Sequence, residues 1–377
     1  FDLLMPAVVS AAKRATIPVA IHLDHGTTLK SAIRAINLGC NGVMVDASNQ
    51  TLAENIETTS AIVKMARGCG VPVEGELGYV PGVEGEDAER HPGAVAYTTV
   101  EEAKQYFDAT GIDFLAISIG TVHGRMKGNP KLDFERLGEI NSALKLPLVI
   151  HGGTGLSELQ FQKFIENGVT KINYYTALAD AAGQRIHSNT QTAGSSSYTT
   201  LLRGVPAAVQ QEAARCIDIW GSSGRAAALL DCCRPWQPVE HVILYNTEGL
   251  DDAGVEDMMA EGRRVLGAIP GVQRVFTGHA VKDGTAYRHC WVVRFAARPV
   301  IDRAGWLCGA GQIRHELRLA LIDSVMTDVV RVTPTAPEKG RLLLGGGVLI
   351  AGQLSPLFIP FVASSGLSTG LKSALSG

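Results

Sequence analysis

The chain has 377 residues, long enough for two domains, and 46% of them are hydrophobic, which suffices for a large core. Its 34 basic and 37 acidic residues give a net charge of −3, which argues against a nucleic-acid binder or a polybasic membrane-surface protein. The seven cysteines are odd in number and lack paired metal-ligand spacing, and adjacent Cys232 and Cys233 cannot readily bridge each other. Free thiols in a reducing cytosol are therefore expected, and no secretory leader pattern opposes a cytoplasmic location.

The chain opens on Phe1 inside a predicted helix, Leu4 to Ala15, so an upstream segment is expected. Strand-like apolar runs then alternate with helical stretches: Pro18 to Leu23, Gly42 to Val45, Val71 to Glu76, Phe114 to Ile119, Leu146 to Ile150 and Val169 to Ile172, with Cys216 to Ile219 a candidate seventh. This βα alternation predicts an α/β chain of the (β/α)8 TIM-barrel class. Eight strands close such a barrel, so these predict one that lacks its first strands and exposes strand edges. A polar run between His187 and Thr200 reads as a loop before a helix from Ala207 to Arg215. The segment around Arg234-Pro-Trp-Gln-Pro238 reads as a linker.

A different grammar follows: a strand at His241 to Tyr245, a helix at Val255 to Leu266, and strands at Val272 to Phe276 and Arg288 to Phe295. The expected division is residues 1–230, a linker at 231–238, a small α+β domain at 239–332 and an unassigned tail at 333–377. Gly305-Trp-Leu-Cys-Gly-Ala-Gly311 interrupts the helix and strand that should close the small domain. In the tail, Leu342 to Ala363 carries no charge and has the length of a membrane span, although Gly345-Gly-Gly347, Gln353, Pro356 and Pro360 weaken a helix there.

Chemistry concentrates in the first region. His25, His123 and His151 each come just after an apolar run and close to glycine, in His22-Leu-Asp-His25-Gly, Gly120-Thr-Val-His123-Gly and Ile150-His151-Gly-Gly-Thr154-Gly. In a βα barrel these are carboxyl ends of strands, where active sites are built. Three imidazoles converging there can hold a catalytic zinc and leave a coordination position for substrate. Asp24 is placed to approach the substrate beside His25, or only to orient a neighbouring histidine. Lys171 is the nearest candidate for a Schiff-base lysine, but three histidines and Asn173 fit a metal mechanism better.

Asp24-His25, Gly120-Thr-Val-His123-Gly, Ile150-His151-Gly-Gly-Thr-Gly and Lys171-Ile-Asn173 resemble the class II, zinc-dependent ketose-bisphosphate aldolases, from about Pro6 to about Arg225. The resemblance implies cleavage of a fructose- or tagatose-1,6-bisphosphate to dihydroxyacetone phosphate and glyceraldehyde 3-phosphate, in a homo-oligomer. It makes His25, His123 and His151 the ligands of a catalytic Zn2+. It gives Asp24 the proton of the C4 hydroxyl, and Glu84, eight positions after Glu76, the proton at carbon of the dihydroxyacetone unit. Asp46 and Glu76 match positions of a second divalent metal, and a monovalent cation is a further candidate. Val45-Asp46-Ala47-Ser48-Asn49 departs from the family's usual wording there. Gly124, Gly152, Gly153, Thr154, Asn173, Tyr174, Tyr175 and Thr176 match loops that bind phosphate and substrate. Without the resemblance, the acidic loop Gly82 to Asp87 reads as solvated and the Gly-Gly-Thr-Gly turn as plain loop.

Residues from about Val239 to Val300, with Ile269-Pro-Gly-Val272 and the run from Tyr287 to Phe295, resemble the stress-responsive dimeric α/β-barrel family, which implies a ferredoxin-like fold that pairs across a dimer. Two competing readings follow. The chain is a catalytically inactive fragment acting through that dimerising domain, or the barrel hosts an epimerase or isomerase reaction instead.

Overall fold

Pro6 opens helix α1 (Met5–Arg14), where its fixed φ and missing N–H suit a first turn. The computed structural model describes residues 3–88, 97–126, 128, 130–192, 197–230, 237–247 and 249–301, and the backbone of 329–332. After α1 come β1 (His22–Gly26), α2 (Leu29–Leu38), β2 (Gly42–Val45), α3 (Leu52–Cys69), β3 (Val73–Leu77), β4 (Gly82–Ala88) and α4 (Val100–Thr110). Then follow β5 (Phe114–Ile117), β6 (His123–Met126), α5 (Phe134–Leu144), β7 (Leu148–Ile150), α6 (Glu158–Glu166) and β8 (Val169–Ile172). Helices α7 (Thr176–Thr192), α8 (Tyr198–Leu201), α9 (Val205–Ile219) and α10 (Ala226–Leu230) complete this region.

Local chemistry starts and stops these helices. Thr28, Thr51, Thr99 and Ser157 open α2, α3, α4 and α6 with reciprocal capping boxes. Gly39, Gly70 and Gly111 end α2, α3 and α4 in the left-handed conformation that glycine adopts without strain. Each strand therefore begins within a few residues of a helix end. Six strands pair in the order β1-β2-β3-β5-β7-β8, and all five pairings are parallel. Every residue of β2 and β3 is buried, as in parallel strands covered on both faces. The result is a half-barrel, and among the described residues β1 and β8 do not pair with each other.

Several expectations are corrected. Cys216 to Ile219 is not a strand but the last turn of α9, whose buried Val209, Ala213, Cys216 and Ile217 recur at helical spacing. The polar run from His187 is not all loop, because α7 continues to Thr192 and α8 begins at Tyr198, with residues 193–196 outside the described ones. The acidic loop forms strand β4, paired in parallel with β6 as a separate two-stranded sheet. β1 begins at His22 rather than Pro18, and β7 at Leu148 rather than Leu146. Pro18 and Pro147 cannot donate to a ladder.

The second region contains β9 (Val239–Tyr245), α11 (Asp252–Gly267), β10 (Val272–His279), β11 (His289–Phe295) and β12 (Val329–Val332). Its sheet order is β10-β11-β9-β12, antiparallel throughout, so the chain past Val300 does supply a fourth strand. The interrupting Gly305 to Gly311, most of the linker at residues 231–236 and the whole tail at 333–377 lie outside the described residues. Among the described residues no helix is long and apolar enough to cross a membrane.

On β11, buried and half-buried positions alternate strictly. Trp291 and Tyr245 meet Val255 and Met259 of α11 in a small apolar cluster. Val272, Val293, Phe295 and Val300 instead join the core of the half-barrel. The seam runs along the amino ends of β2 and β3: the Gly271 amide donates to Asn37 Oδ1 at 2.6 Å, and Pro299 lies against Gly70. A Cβ on Gly271 would meet Val300 at 2.7 Å and Cys69 Sγ at 3.3 Å, so glycine permits the close approach.

Candidate metal and active site

His25 near the end of β1 and His151 just after β7 stand at carboxyl ends of strands, whereas His123, expected at a strand end, is the first residue of β6, six residues past β5; the three come together. Their ring centroids lie 5.2 Å (His25 to His123), 4.9 Å (His25 to His151) and 5.6 Å (His123 to His151) apart, all edge to face. One nitrogen from each lies within 4.8 Å of the others, and His25, Asp46 and Glu76 form a second such group. His25, next to last in β1, has φ 48°, left-handed backbone uncommon outside glycine and concentrated at functional positions. The candidate site is thus two overlapping groups able to hold a metal ion, which share His25.

His151 is fully buried. Its Nε2 lies 3.1 Å from Glu74 Oε1, while its Nδ1 is buried without a hydrogen-bond partner. Glu76 Oε2, 3.7 Å from that Nδ1, is also buried without one. Such orphaned polar atoms are costly unless something unites them, and a cation between them would. If Nε2–H donates to Glu74, Nδ1 keeps its lone pair for a metal, the arrangement that orients metal-bound histidines. Burial pushes the His151 pKa down to about 4, which keeps the ring neutral and able to ligate.

Around these rings negative charge predominates. His25 Nδ1 lies 2.7 Å from Asp46 Oδ2 and 3.8 Å from Glu76 Oε2. Burial opposes the His25 imidazolium, but the Asp46 hydrogen bond and the charges of Asp24 and Glu76 outweigh it and raise the pKa to about 9. Glu76 is raised to about 8, first by burial and then by the neighbouring Asp46 charge. Asp46 is lowered despite burial, through its bonds to His25 and Ser48. A site that holds carboxylates this close favours a multivalent cation.

Beneath the ligands lies a network that the sequence reading did not single out. Glu74 is entirely buried, with Lys171 Nζ 2.7 Å and His22 Nε2 3.2 Å from its Oε2. Burial opposes its ionisation, yet Lys171, His151 and His22 hold its pKa well below the usual carboxylate range. Lys171 also donates to Asn173 Oδ1 at 2.5 Å, and Asn173 Nδ2 donates to Asp24 Oδ1 at 2.8 Å. Asp24 is therefore oriented through a chain that begins at Glu74. A period-two reading of Glu74-Gly-Glu76 sets both carboxylates on one face of β3, and that signal could have marked Glu74. The ion pair gives Lys171 a structural role.

Glu84 reaches in from β4. Its Oε1 lies 3.0 Å from His123 Nδ1, and its Oε2 accepts from Thr176 Oγ1. These bonds lower the Glu84 pKa although burial alone would raise it. Backbone space is tight behind it: a Cβ on Gly152 would come 2.0 Å from Val122 O, and one on Gly124 would come 2.4 Å from Glu86 O. Both glycines have positive φ, 73° and 88°. Gly153 packs under Tyr174 and Ile172, and the Thr154 hydroxyl accepts from the Ala177 amide at 3.1 Å, tying the Gly-Gly-Thr-Gly turn to α7. Tyr175 is half-buried near the Glu84 charge. Tyr174 is the exception among the matched residues, because its ring packs against Phe161 and Trp220 and its hydroxyl donates to Glu212. Only its backbone is left for a substrate.

Parallel strands with side chains able to hold a metal near their carboxyl ends define a candidate βα-barrel metal site. Residues 1–225 match the class-II fructose-bisphosphate aldolase family, and the chain belongs to it. It is 46% identical over 161 residues to a fructose-bisphosphate aldolase of Staphylococcus epidermidis, covering 43% of this chain and 55% of that protein. It is 45% identical over 161 residues to the Staphylococcus aureus enzyme of that name, with the same coverage. The chain thus spans about half the length of the curated relatives it matches. Among solved structures it resembles the YdjI aldolase of Escherichia coli K12, with TM-score 0.53 and 34% identity over 60% of this chain and 78% of that one.

Proposed function

We propose that the chain performs the reversible, zinc-dependent aldol cleavage of a fructose- or tagatose-1,6-bisphosphate to dihydroxyacetone phosphate and glyceraldehyde 3-phosphate. The observation that carries this reading is the pair of orphaned buried atoms, His151 Nδ1 and Glu76 Oε2, facing each other beside His25 and His123. His25, His123 and His151 would hold Zn2+, with Asp46 and Glu76 as an alternative set around His25. Bound zinc supplies a Lewis acid for the charge that develops on the substrate's ketone oxygen.

The protein's own groups do the rest. Asp24, fixed by Asn173, exchanges the proton of the C4 hydroxyl as the C3–C4 bond breaks, and returns it in the synthetic direction. Glu84 removes and returns the proton at C3 of the dihydroxyacetone unit. Gly124, Gly152, Gly153 and Thr154 offer backbone amides to phosphate, with Asn173, Tyr175, Thr176 and the backbone of Tyr174 beside them. A second divalent or a monovalent cation remains part of this reading, as do a homo-oligomer, a ferredoxin-like second domain and a cytosolic setting. Among the described residues Cys40, Cys216 and Cys290 form no disulfide, which accords with that setting. The inactive-fragment reading is not favoured, because this chain carries every member of both candidate ligand sets.

The test is zinc per chain on gel-filtered protein prepared without chelator, followed by cleavage assays with both bisphosphates. Close to one zinc per chain with turnover is expected. A dimer without zinc or turnover would overturn the proposal in favour of the dimerising module.

A further inference from the structure

Glu84 lies on β4, outside the six-stranded sheet, and the β4–β6 register is irregular: Gly82 pairs with His123, and the next pairs are Asp87 with Arg125 and Ala88 with Met126. Residues 83–86 therefore have no ladder partners, and something else must hold the carboxylate in place. Side chains from two other elements meet there. The Gly85 amide donates to Thr176 Oγ1 at 3.1 Å, and its carbonyl accepts from Arg125 Nη1 at 2.8 Å. Arg125 turns its other edge to Asp180, with Nε donating to Oδ2 at 2.7 Å and Nη2 to Oδ1. Asp87 Oδ1 lies 3.7 Å from Nη1. Thr176 and Asp180 are four residues apart on α7, and so share one face of it.

We propose that Arg125 and Asp180 form a clasp that fixes the Gly85 backbone and so positions the Glu84 carboxylate for proton transfer. The proposal rests on the aldolase reading above. The planar guanidinium is suited to this: one edge forks onto a carboxylate while the remaining N–H reaches a carbonyl, which a lysine ammonium cannot reproduce. Gly85 has φ 83° and no atom near its Cβ direction, so backbone conformation rather than space calls for glycine. The pair is partly exposed, with side-chain exposures of 39% for Arg125 and 25% for Asp180. Such a pair contributes little to global stability, so its effect falls on where the bulged segment sits. Arg125 and Asp180 are positioning residues, acting through Gly85 on the base.

The test compares zinc-loaded wild type with Arg125→Ala, Arg125→Lys and Asp180→Asn. Readouts are zinc per chain, amide hydrogen exchange across residues 82–88, and kcat and KM for the bisphosphate. All three variants are expected to keep their zinc. Exchange in the bulged segment should rise at least about 10-fold. kcat should fall roughly 10-fold to 100-fold with KM little changed, since a displaced base costs rate rather than binding. Arg125→Lys should recover only part of either loss. Unchanged exchange overturns the clasp, and a loss confined to KM overturns it in favour of direct phosphate contact by Arg125. Wild type that binds zinc but does not turn over would refute the aldolase reading alone, because exchange reports on the clasp without turnover.

Discussion

The half-barrel and the small sheet bury very different things. In the half-barrel, β2 and β3 are buried at every position, and that interior includes Glu74, Glu76 and His151, each held by named partners or aimed at the shared centre. In the small unit β11 alternates buried and half-buried, its core is Trp291, Tyr245, Val255 and Met259, and its charged pairs, such as Arg294 with Glu240 at 3.3 Å, lie across neighbouring strands. Burying ionisable groups is costly unless they are paired, so the half-barrel, with its cluster of buried carboxylates and imidazoles, gives up more stability than the small unit, where His289 is the buried acidic or basic side chain among the described residues. Polar burial, more than fold, separates the candidate site from a packing unit here.

The strongest way to break this contrast is His151→Ala. Zinc should be lost and cleavage should fall by several orders of magnitude while the small unit keeps its fold. Elemental analysis, a coupled cleavage assay and the circular dichroism of the variant check it, and zinc retained at wild-type level would contradict the ligand assignment. Next comes Glu74→Ala, which strands Lys171 and His22 beside a fully buried gap. Removing one partner of a buried pair costs about 3–5 kcal/mol, measurable by urea unfolding. A neutral outcome would mean that the network is not closed to water.

In the small unit the comparable probe is steric. Gly262 lies in α11, where alanine would ordinarily favour the helix by about 1 kcal/mol. Its Cβ, however, would come 1.7 Å from Trp291 Cη2, so the ring must move, and Gly262→Ala should destabilise by about 1–3 kcal/mol net. A raised melting temperature would show that Trp291 does not pack there.

The smallest effect is a pH dependence. Burial lowers the His289 pKa, helped by the positive charges of His279 and Arg288. The unfolded chain then binds a proton more readily, so the stability His289 contributes is complete above the ordinary histidine pKa of about 6.5 and declines as pH falls below it. His25, raised to about 9, acts in the opposite sense: its contribution is present below the ordinary value and lost as pH rises through 9. Melting curves of wild type and His289→Gln from pH 7 to pH 5 should diverge only toward acid.

Much of the half-barrel was legible because parallel strands are short, apolar and bounded by glycine or caps. Gly42 to Val45 was read with both ends correct. Strand starts drifted wherever proline stood inside an apolar run, since hydrophobicity continues across Pro18 and Pro147 but ladder hydrogen bonding does not. Cys216 to Ile219 misled because three apolar residues around Asp218 look alike in a strand and in the last turn of a helix. The places of His25 and His151 were legible from their junctions, but His123 opens β6 rather than closing the strand read before it. The Glu74–Lys171–Asn173–Asp24 chain was not, because it joins three strands and no local spacing encodes it. Tyr174 shows the reverse, a motif position whose ring belongs to the core.

The small unit sits under the amino ends of β2 and β3, whereas His25, Asp46, His151 and Asn173 stand at the carboxyl ends of their strands. The sheet is thus an insulating wall with a handle on one side and a mouth on the other. A reporter or solid support joined to that handle leaves the mouth pointing away from it, and whatever grips the handle has the length of the strands between itself and the candidate site.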